Sequence, residues 1–497
     1  MVPRSEPAPP PWPSTPTTKP GPGRRALEVL GDAEDAETWA VVADAHLLVA
    51  EASRRLGEVK VAEAALDHVI GEARIRRDGG VLARAAQERG LAIAGVGFAF
   101  GSTDHDLLQL LDEALELLAD DRIADRTSLL AWSSIARNST VDKPQQRDLA
   151  ARALAEARTL PDRNDLLALS LLAERLAHAT PDGLDRRVEV GPEMGAAAAA
   201  AGWADLIVVA MVLDVVDLLE QADAGAARAR IDDLESFIVP FGRPVYDAYH
   251  LFLAAAMAQM EGRHADAEVL SARANDLGEI SHADNARHAR SGQLFVLARD
   301  LGTVGDLVPL TGAMAEEYPT MPVWQTAHAT SCAAAGDLAS ARQACEQIFR
   351  TGGLEAVDST WSTTVAQLVE VCWMIGEADW CADLAERLRP FADRMAVTGM
   401  GAVCLGSLHR SFALALDGAG RLDEAIEAIE RAVAVSEEQG ATLWLARSLA
   451  ERALFLTRRG APDDAERAAL DRARSHELAT ELGVRLALGP TEYPGPD

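Results

Sequence analysis

Apolar positions recur at helical spacing along almost the whole chain, between two proline-containing ends. Alanine, leucine, glutamate and arginine, all good helix formers, dominate this stretch. Glycine, proline and aspartate interrupt it about every 15 to 20 residues, which is the spacing of short antiparallel helices. No sustained alternation of β-branched residues favours a sheet. The pattern therefore predicts an all-α protein.

Segments of similar sequence repeat in the second half of the chain. In GRLDEAIEAIERA, for example, Ala425 follows Gly420 by five residues. Glycine suits a turn that needs a positive φ, and a small residue lets two crossing helices approach closely. The pattern predicts these structural positions: Gly262 with Ala267, Gly336 with Ala341, Gly376 with Cys381, Gly420 with Ala425, and Gly460 with Ala465.

A second small residue precedes four of these glycines by seven positions, at Ala255, Ala329, Ala413 and Ala453. Paired small residues of this kind form the tetratricopeptide signature. The repeat interval is about 40 residues, longer than the 34 of the standard repeat. The sequence therefore predicts a tetratricopeptide-like, right-handed superhelical solenoid of antiparallel helix pairs.

Three regions follow from this pattern. Residues 1–23 contain nine of the 23 prolines and are expected to form a disordered tail. Residues 24–486 are expected to form one continuous solenoid of about eleven helix pairs. Residues 487–497 are expected to form a flexible C-terminal tail.

The charge balance restricts the partners of the protein. There are 77 acidic residues against 47 lysines and arginines, for a net charge of -30. Such a surface repels phosphate backbones and anionic lipid heads, so neither nucleic acid nor a membrane is expected as a partner. The only three lysines, Lys19, Lys60 and Lys143, do not fit a phosphate-binding loop, which excludes a nucleotide site of that type.

The cysteines indicate the compartment. Cys332, Cys345, Cys372, Cys381 and Cys404 form no CxxC pair, and no secretory signal precedes the repeats. They are interpreted as small buried residues in a reducing environment. The protein is therefore expected to be cytoplasmic.

Motifs for catalysis or cofactor binding are weak. Gly95, Gly97 and Gly101 have the wrong spacing for a nucleotide loop and are interpreted as a helix-terminating loop. His282 and His288 are six residues apart, which does not put both on one helix face, so no metal site is expected.

A second glycine motif, Gly399, Gly401 and Gly406 in GMGAVCLG, is interpreted as a turn before the next helix. No catalytic residue and no cofactor are predicted.

Three segments resemble one actinobacterial architecture. They are AEEYPTMPVW from Ala315, AAAGDLASAR from Ala333, and the run from Gly399 to Gly460. They are similar to the tetratricopeptide half of large signal proteins, in which a cyclase-like or DNA-binding module precedes a STAND/AAA ATPase and helical repeats follow. The resemblance covers roughly residues 40–485.

This chain departs from that architecture because a cyclase and an ATPase are too large to fit before residue 40. No DNA-reading helices follow Leu486 either. The resemblance thus implies a sensing or docking half, encoded alone. The expected function is a non-catalytic scaffold or regulatory module in signalling or transcriptional control, which binds a protein or peptide. The first alternative is a small-molecule or peptide sensor that acts on a separate effector chain, and an unrecognised enzyme is a weaker one.

The inner face of such a solenoid is lined by the first helix of each pair. With no lysine after Lys143, the chain cannot build the lysine clamp that some tetratricopeptide proteins use for a terminal carboxylate. This surface is either a groove for an amphipathic helix, a peptide or an apolar ligand, or it is buried by neighbouring helices and an inward curl. The predicted groove residues are Val209, Val212, Val216, Tyr249, Phe252, Arg299, Trp373 and Arg410, with Leu219, Val296, Thr326, Thr330 and Glu370 as further inner positions.

Overall fold

The computed structural model describes residues 36–55, 58–92, 103–140, 142–280, 284–355, 358–398, 400–484 and 486. The two predicted tails and the glycine segment 95–101 lie outside these residues.

Twenty-two α-helices and one β-hairpin make up the described part of the chain. The helices are α1 Ala36–Arg55, α2 Val59–Arg76, α3 Gly79–Ala92, α4 His105–Leu117, α5 Ile123–Ala136, α6 Lys143–Ala157, α7 Asn164–Ala177, α8 Leu184–Ala200, α9 Ala204–Glu220, α10 Ala224–Ile238, α11 Pro244–Met260, α12 His264–Ile280, α13 Asp284–Leu301, α14 Val308–Glu317, α15 Pro322–Ala334, α16 Leu338–Arg350, α17 Trp361–Met374, α18 Ala378–Leu388, α19 Leu408–Gly418, α20 Leu422–Glu438, α21 Thr442–Arg459 and α22 Asp464–Leu482. The strands are β1 Met395–Thr398 and β2 Val403–Ser407.

Consecutive helices pack as pairs, and the first helix of a pair also contacts the first helix of the next, as α5, α7, α15, α17 and α19 do. First helices begin 34 to 47 residues apart, which confirms the predicted all-α helical repeat with a period of about 40. The longest interval, between the starts of α17 and α19, contains the hairpin.

Aspartates begin several helices by capping them. Asp104, Asp142, Asp223 and Asp337 each accept a hydrogen bond from the backbone N–H three residues later, at 2.8 to 3.0 Å. These bonds satisfy N–H groups that have no partner within the helix. The same aspartates that interrupt the apolar pattern therefore set where the helices start.

The repeated glycines end the first helices of their pairs. Gly262, Gly336, Gly376, Gly420 and Gly460 all have positive φ, between +66° and +83°. After four of them the next backbone N–H turns back to a carbonyl five residues earlier, as Arg421 does to Leu416 at 2.8 Å. This is the Schellman geometry, which favours glycine because its positive φ strains other residues.

Most of the paired small residues lie where helices cross. Ala267 is 5% exposed and Ala341, Cys381 and Ala425 are fully buried. The partner positions before the glycines, Ala255, Ala329, Ala413 and Ala453, are at most 1% exposed.

Ala465 departs from the prediction because it is exposed. The helix after Gly460 begins four residues later, at Asp464, whereas α20 begins two residues after Gly420. The longer turn rotates the buried face of α22, and Ala468 takes the fully buried position instead.

The hairpin lies on the inner face of the repeats. Its strands are antiparallel, with Val397 opposite Cys404, and they contact the first helices α9, α11, α13, α17 and α19. All five residues of β2 are buried. The expectation of a simple turn around Gly401 and Gly406 is therefore wrong in one respect: the turn belongs to a buried two-stranded element.

The C-terminal repeats fold back onto the middle of the chain. The N–H of Ala224, which begins α10, donates to Oε1 of Gln439 at 2.7 Å, across 215 residues. Leu482 at the end of α22 approaches Gly262 between α11 and α12. The inner face between these repeats is therefore enclosed.

Candidate functional site

The predicted groove positions on α9 are buried. Val209, Val212 and Val216 are 4%, 1% and 9% exposed. Val212 and Val216 belong to one apolar cluster with Met395, Val397 and Cys404 of the hairpin. Of the two alternatives for the inner face, burial by neighbouring structure therefore applies at α9, because the hairpin covers it.

Three other predicted groove residues lie in buried polar contacts. Trp373 donates from Nε1 to Asp417 at 2.7 Å. Arg299 and Arg410 both donate to Glu370, and Arg410 also donates to Glu451 from Nε at 2.8 Å. These residues hold helices together and do not line an open surface.

Arg299 and Arg410 belong to a larger cluster around Trp444, which we call the tryptophan–arginine cluster. The guanidinium carbons of Arg299, Arg410 and Arg447 lie 5.3, 5.7 and 4.8 Å from the centre of the indole ring. Arg447 pairs with Asp300 of α13 at 3.1 Å. The cluster joins α13, α17, α19 and α21 by cation–π contacts and ion pairs.

Electrostatics within this cluster are dominated by the arginines. Burial disfavours ionisation of Glu370, but the charges of Arg299, Arg410 and Arg447 outweigh it and lower its pKa to about 2. Burial, and then repulsion from Arg299, lowers the pKa of Arg447 to about 10. Both side chains are therefore charged at neutral pH.

Tyr249 and Phe252, the remaining predicted groove residues, line a cavity on the inner face. The cavity encloses about 1020 Å³ of space, including its mouth, which is open to solvent. It is bounded by α11, α13, α15, the start of α17 and the hairpin. Its lining residues are Val245, Ala248, Tyr249, Phe252, Asn285, Ala286, His288, Ala289, Gly292, Phe295, Val296, Met321, Val323, Trp324, Ala327, Thr360, Gln367, Thr398, Met400, Ala402 and Val403.

Most polar side chains of the cavity have partners within the protein, but the buried Oε1 of Gln367 has none. Thr360 donates from Oγ1 to Asp358 at 2.7 Å, and Thr398 donates to Thr363 at 2.9 Å. Gln367 donates from Nε2 to the carbonyl of Thr363 at 3.3 Å. The surface that the cavity presents is therefore almost entirely apolar.

Aromatic side chains surround the cavity. Phe252, Phe295 and Trp324 are 5%, 3% and 6% exposed. The indole N–H of Trp324 donates to Nδ1 of His288 at 3.3 Å, which holds both rings in place. Burial, followed by the charge of Asp205, raises the pKa of Tyr249 to about 12, so its hydroxyl is neutral.

Sequence reasoning found part of this cavity. Counting back from the repeat glycines gave Tyr249, Phe252 and Val296, but it missed Phe295 and Trp324. Phe295 directly precedes the predicted Val296, and Trp324 lies two residues before the predicted Thr326, because small shifts between repeats move the inner face around each helix. The contribution of the hairpin had no helical signal by which it could be found.

A second recess, of about 500 Å³, lies beside the base of the hairpin. Arg187 donates to Asp217 at 2.7 Å and also pairs with Glu220, to which Arg394 donates at 3.1 Å. Arg175 completes the group with Asp217 at 2.7 Å. These ion pairs join α7, α8 and α9 to the hairpin.

One cysteine–histidine contact was not expected from the sequence. Cys332 Sγ lies 3.6 Å from Nε2 of His328, one helical turn earlier. Burial and the charge of Asp337 raise the pKa of this thiol, whereas a nucleophilic cysteine needs a lowered one. The contact is therefore a packing feature of α15.

The described residues contain neither a cluster of metal ligands nor a bilayer-spanning helix. No group of three His, Cys, Asp or Glu side chains among them could hold a metal ion. None of their helices has both the length and the apolar character needed to cross a bilayer.

No protein-family model matches the chain, and no curated protein matches it. Among solved structures it is similar to yeast Tom70, with 13% identity, a TM-score of 0.36 and coverage of 93% of this chain and 94% of that one. It is also similar to the APC/C hetero-tetramer Cut9–Hcn1, with 13% identity, a TM-score of 0.32 and coverage of 93% and 92%. The complex of Naa15/Naa10 bound to HypK-THB matches at 13% identity and a TM-score of 0.22, over 88% of this chain and 64% of that one.

These similarities are weak, and the class of the protein rests on its own helix geometry. Antiparallel pairs that follow one another at about 40 residues, with small residues at their crossings, define a tetratricopeptide-like all-α helical repeat.

Proposed function

We propose that this chain is a non-catalytic binding module whose ligand occupies the cavity between α11, α13, α15, α17 and the hairpin. The observation that supports this is the cavity itself: a concave, apolar space of about 1020 Å³, its open mouth included, bounded by helices and the hairpin. A concave, mainly apolar lining with a few polar side chains is typical of small-molecule pockets. Such a lining suits the binding of a ligand better than the catalysis of a reaction.

The absence of catalysis is part of the proposal. Catalytic groups usually combine a titratable side chain with a partner that adjusts its pKa toward the working pH. In the cavity, the hydroxyl of Tyr249 is kept neutral by its raised pKa. The thiol of Cys332, in the same helix as Trp324, is deactivated in the same way.

A regulatory role in the cytoplasm also belongs to the proposal. The resemblance to the repeat half of signal proteins supports a module that senses a ligand and passes the signal to a separate effector chain. The protein or peptide partner expected from the sequence would then bind outside the cavity, on the acidic outer surface. Basic residues of the partner would contact this acidic surface, and the binding would weaken as the salt concentration rises.

Ligand binding in the cavity can be tested by thermal stabilisation. A panel of small molecules and short peptides is screened against the wild type and against Ala289→Phe, in which the new ring projects into the cavity. We expect compounds that raise the melting temperature of the wild type and have a much smaller effect on the variant. Ala465→Phe, on the exposed side of α22, is the matched control. Compounds that stabilise all three proteins equally would refute the site.

A further inference from the structure

We infer that the ligand of the cavity is an uncharged small molecule with a flat, mainly hydrocarbon body, and that it is not a peptide. This inference rests on the proposed function, since it names the chemical class that the same cavity accepts. It is carried by the lining side chains, their hydrogen bonds and the positions of the small residues.

Charged ligands do not suit the lining. None of the described residues that line the cavity is an Asp, Glu, Lys or Arg. A charged group that enters such a space loses its hydration and gains no counter-ion. The net charge of -30 opposes anions further, before they reach the cavity.

A peptide backbone does not suit it either. Each peptide unit brings an N–H and a C=O that must find partners when buried. The hydroxyls of Thr360 and Thr398 and the Nε2 group of Gln367 are engaged with protein groups, which leaves the single buried Oε1 of Gln367 as an acceptor without a partner among these three side chains. The carbonyl of Ala402 in the hairpin already accepts from Gln293 at 2.8 Å. A buried peptide would therefore leave many of its polar groups unsatisfied, and a hydrocarbon body has none to satisfy.

The small residues give the space its shape. Ala286, Ala289 and Gly292 follow one another at three-residue spacing along α13, and all three line the cavity. A Cβ at Gly292 would lie 3.1 Å from Cγ2 of Val403, so the helix and the hairpin meet closely at this end. Phe252, Phe295 and Trp324 supply aromatic contacts in the lining. A ring system can lie along the shallow face of α13 and stack against these side chains.

The inference can be tested with two probes that share one ring system. N-phenyl-1-naphthylamine is neutral, and 1-anilinonaphthalene-8-sulfonate adds a sulfonate to it. Fluorescence titration of the wild type should give a dissociation constant at least about tenfold lower for the neutral probe. The difference should persist in about 0.5 M salt, where surface repulsion is screened and only the cost of burying the sulfonate remains.

The variants assign the binding to the cavity. Ala289→Phe should raise the dissociation constant of the neutral probe at least about tenfold. The exposed control Ala465→Phe should leave that constant unchanged. Val323→Phe, which fills the same space from α15, serves if Ala289→Phe does not fold.

Three results would overturn the inference. The first is equal or tighter binding of the sulfonate in high salt. The second is that neither naphthalene probe binds, whereas peptides stabilise the wild type but not Ala289→Phe. In that case the proposed function stands and the inferred ligand class is wrong. The third is a neutral probe that binds Ala289→Phe and Val323→Phe as tightly as the wild type, which would remove the proposed site as well.

Discussion

Buried charges hold the inner face of the repeats together at the scale of single residues. Glu370 lies between Arg299 and Arg410, and all three side chains are at most 12% exposed. A buried ion pair contributes little net stability compared with apolar packing, but removing one partner leaves an uncompensated charge. The tryptophan–arginine cluster should therefore tolerate the loss of a single member poorly.

Glu370→Gln should be destabilising at neutral pH and much less so in acid. The pKa of Glu370 is lowered from 4.5 to about 2, which corresponds to roughly 3 kcal/mol of stabilisation by the ionised form. A depressed pKa contributes stability above the pKa of the unfolded chain, and the contribution is lost as pH falls toward 2. The unfolding midpoints of the variant and the wild type in urea should therefore differ clearly at pH 7, approach each other as pH falls below about 4.5, and converge only near pH 2.

An exposed glutamate provides the control. Hydrogen bonds from Arg389, and then from Arg421, also lower the pKa of Glu386 to about 2, but this residue is on the surface. Solvent screens such pairs, so Glu386→Gln should change the midpoint little at either pH. If both glutamine variants shifted the unfolding midpoint equally, burial would not be the reason why Glu370 stabilises the fold.

The repeat phase makes a second prediction for single residues. Ala425 is fully buried at the crossing of α19 and α20, whereas Glu427, two residues later, is exposed. Ala425→Arg overpacks the crossing, at a typical cost of ~1–3 kcal/mol, and also buries a charge. Its melting temperature should fall far below that of Glu427→Arg. Equal melting temperatures would show that the assigned phase is wrong.

Small residues and glycines were predictable because helix crossings and turns have local requirements. The structure has Gly420 at positive φ and Ala425 in the core, as the spacing indicates. The prediction for Ala465 was wrong because two additional turn residues after Gly460 shift the buried face of α22. A spacing rule counted from the glycine cannot anticipate such an insertion.

At the scale of elements, the hairpin is the feature that covers part of the inner groove and leaves a cavity with one open mouth. Its strand β2 is buried on both faces, and Gly406 lies against Trp444. A short strand without an alternating exposed face gives no period-two pattern, so the helical signals on either side of it dominate the sequence. This explains why the glycine motif predicted only a turn.

Gly406→Ala should destabilise the fold more than a glycine-to-alanine change in a turn where no side chain lies close to the glycine. A Cβ at Gly406 would lie 2.6 Å from Cδ2 of Trp444, and φ is +87° there. Gly336 has nearly the same φ, +83°, and no atom lies within 4 Å of the place that a Cβ would take there. Both substitutions incur left-handed strain of ~1–2 kcal/mol, but only Gly406→Ala adds overpacking of ~1–3 kcal/mol.

Chemical denaturation of both glycine variants measures this difference. Gly406→Ala should unfold at the lower denaturant concentration. A midpoint for Gly336→Ala equal to or below that of Gly406→Ala would mean that the hairpin does not pack on Trp444 as described.

At the scale of the whole molecule, the chain differs from a linear solenoid in which each repeat contacts only its neighbours. Arg447 of α21 pairs with Asp300 of α13, 147 residues earlier. Ala224 and Gln439 make a similar long-range contact. The middle and C-terminal repeats should therefore unfold as one cooperative unit.

Trp444→Ala tests this cooperativity by hydrogen exchange. Removing the indole should raise exchange in α13, whose Arg299 and Asp300 belong to the tryptophan–arginine cluster, as well as in α19 to α22. The helices α2 to α6, which lie far from the cluster in sequence, should be unaffected and serve as the internal control. Faster exchange confined to α19 to α22 would indicate a linear array.

The helical repeat and its period were evident from the sequence because each pair repeats the same local rule. The sequence leaves the inward curl as one of two alternatives, because the curl depends on small rotations accumulated over many pairs and on charges such as Arg447 and Asp300 that meet across them. For the same reason the sequence indicated Tyr249 and Phe252 as inner residues without indicating that they share a cavity with Trp324.

The central claim, that the cavity accepts an uncharged hydrocarbon ligand, is tested most directly by an X-ray structure of crystals soaked with 1-bromonaphthalene. The anomalous signal of bromine locates the molecule independently of any assumption about its pose. The account predicts one dominant bromine peak inside the cavity, among Phe252, Phe295 and Trp324. Bromine bound only outside this space, or a cavity that stays empty in the soaked crystals, would contradict the claim.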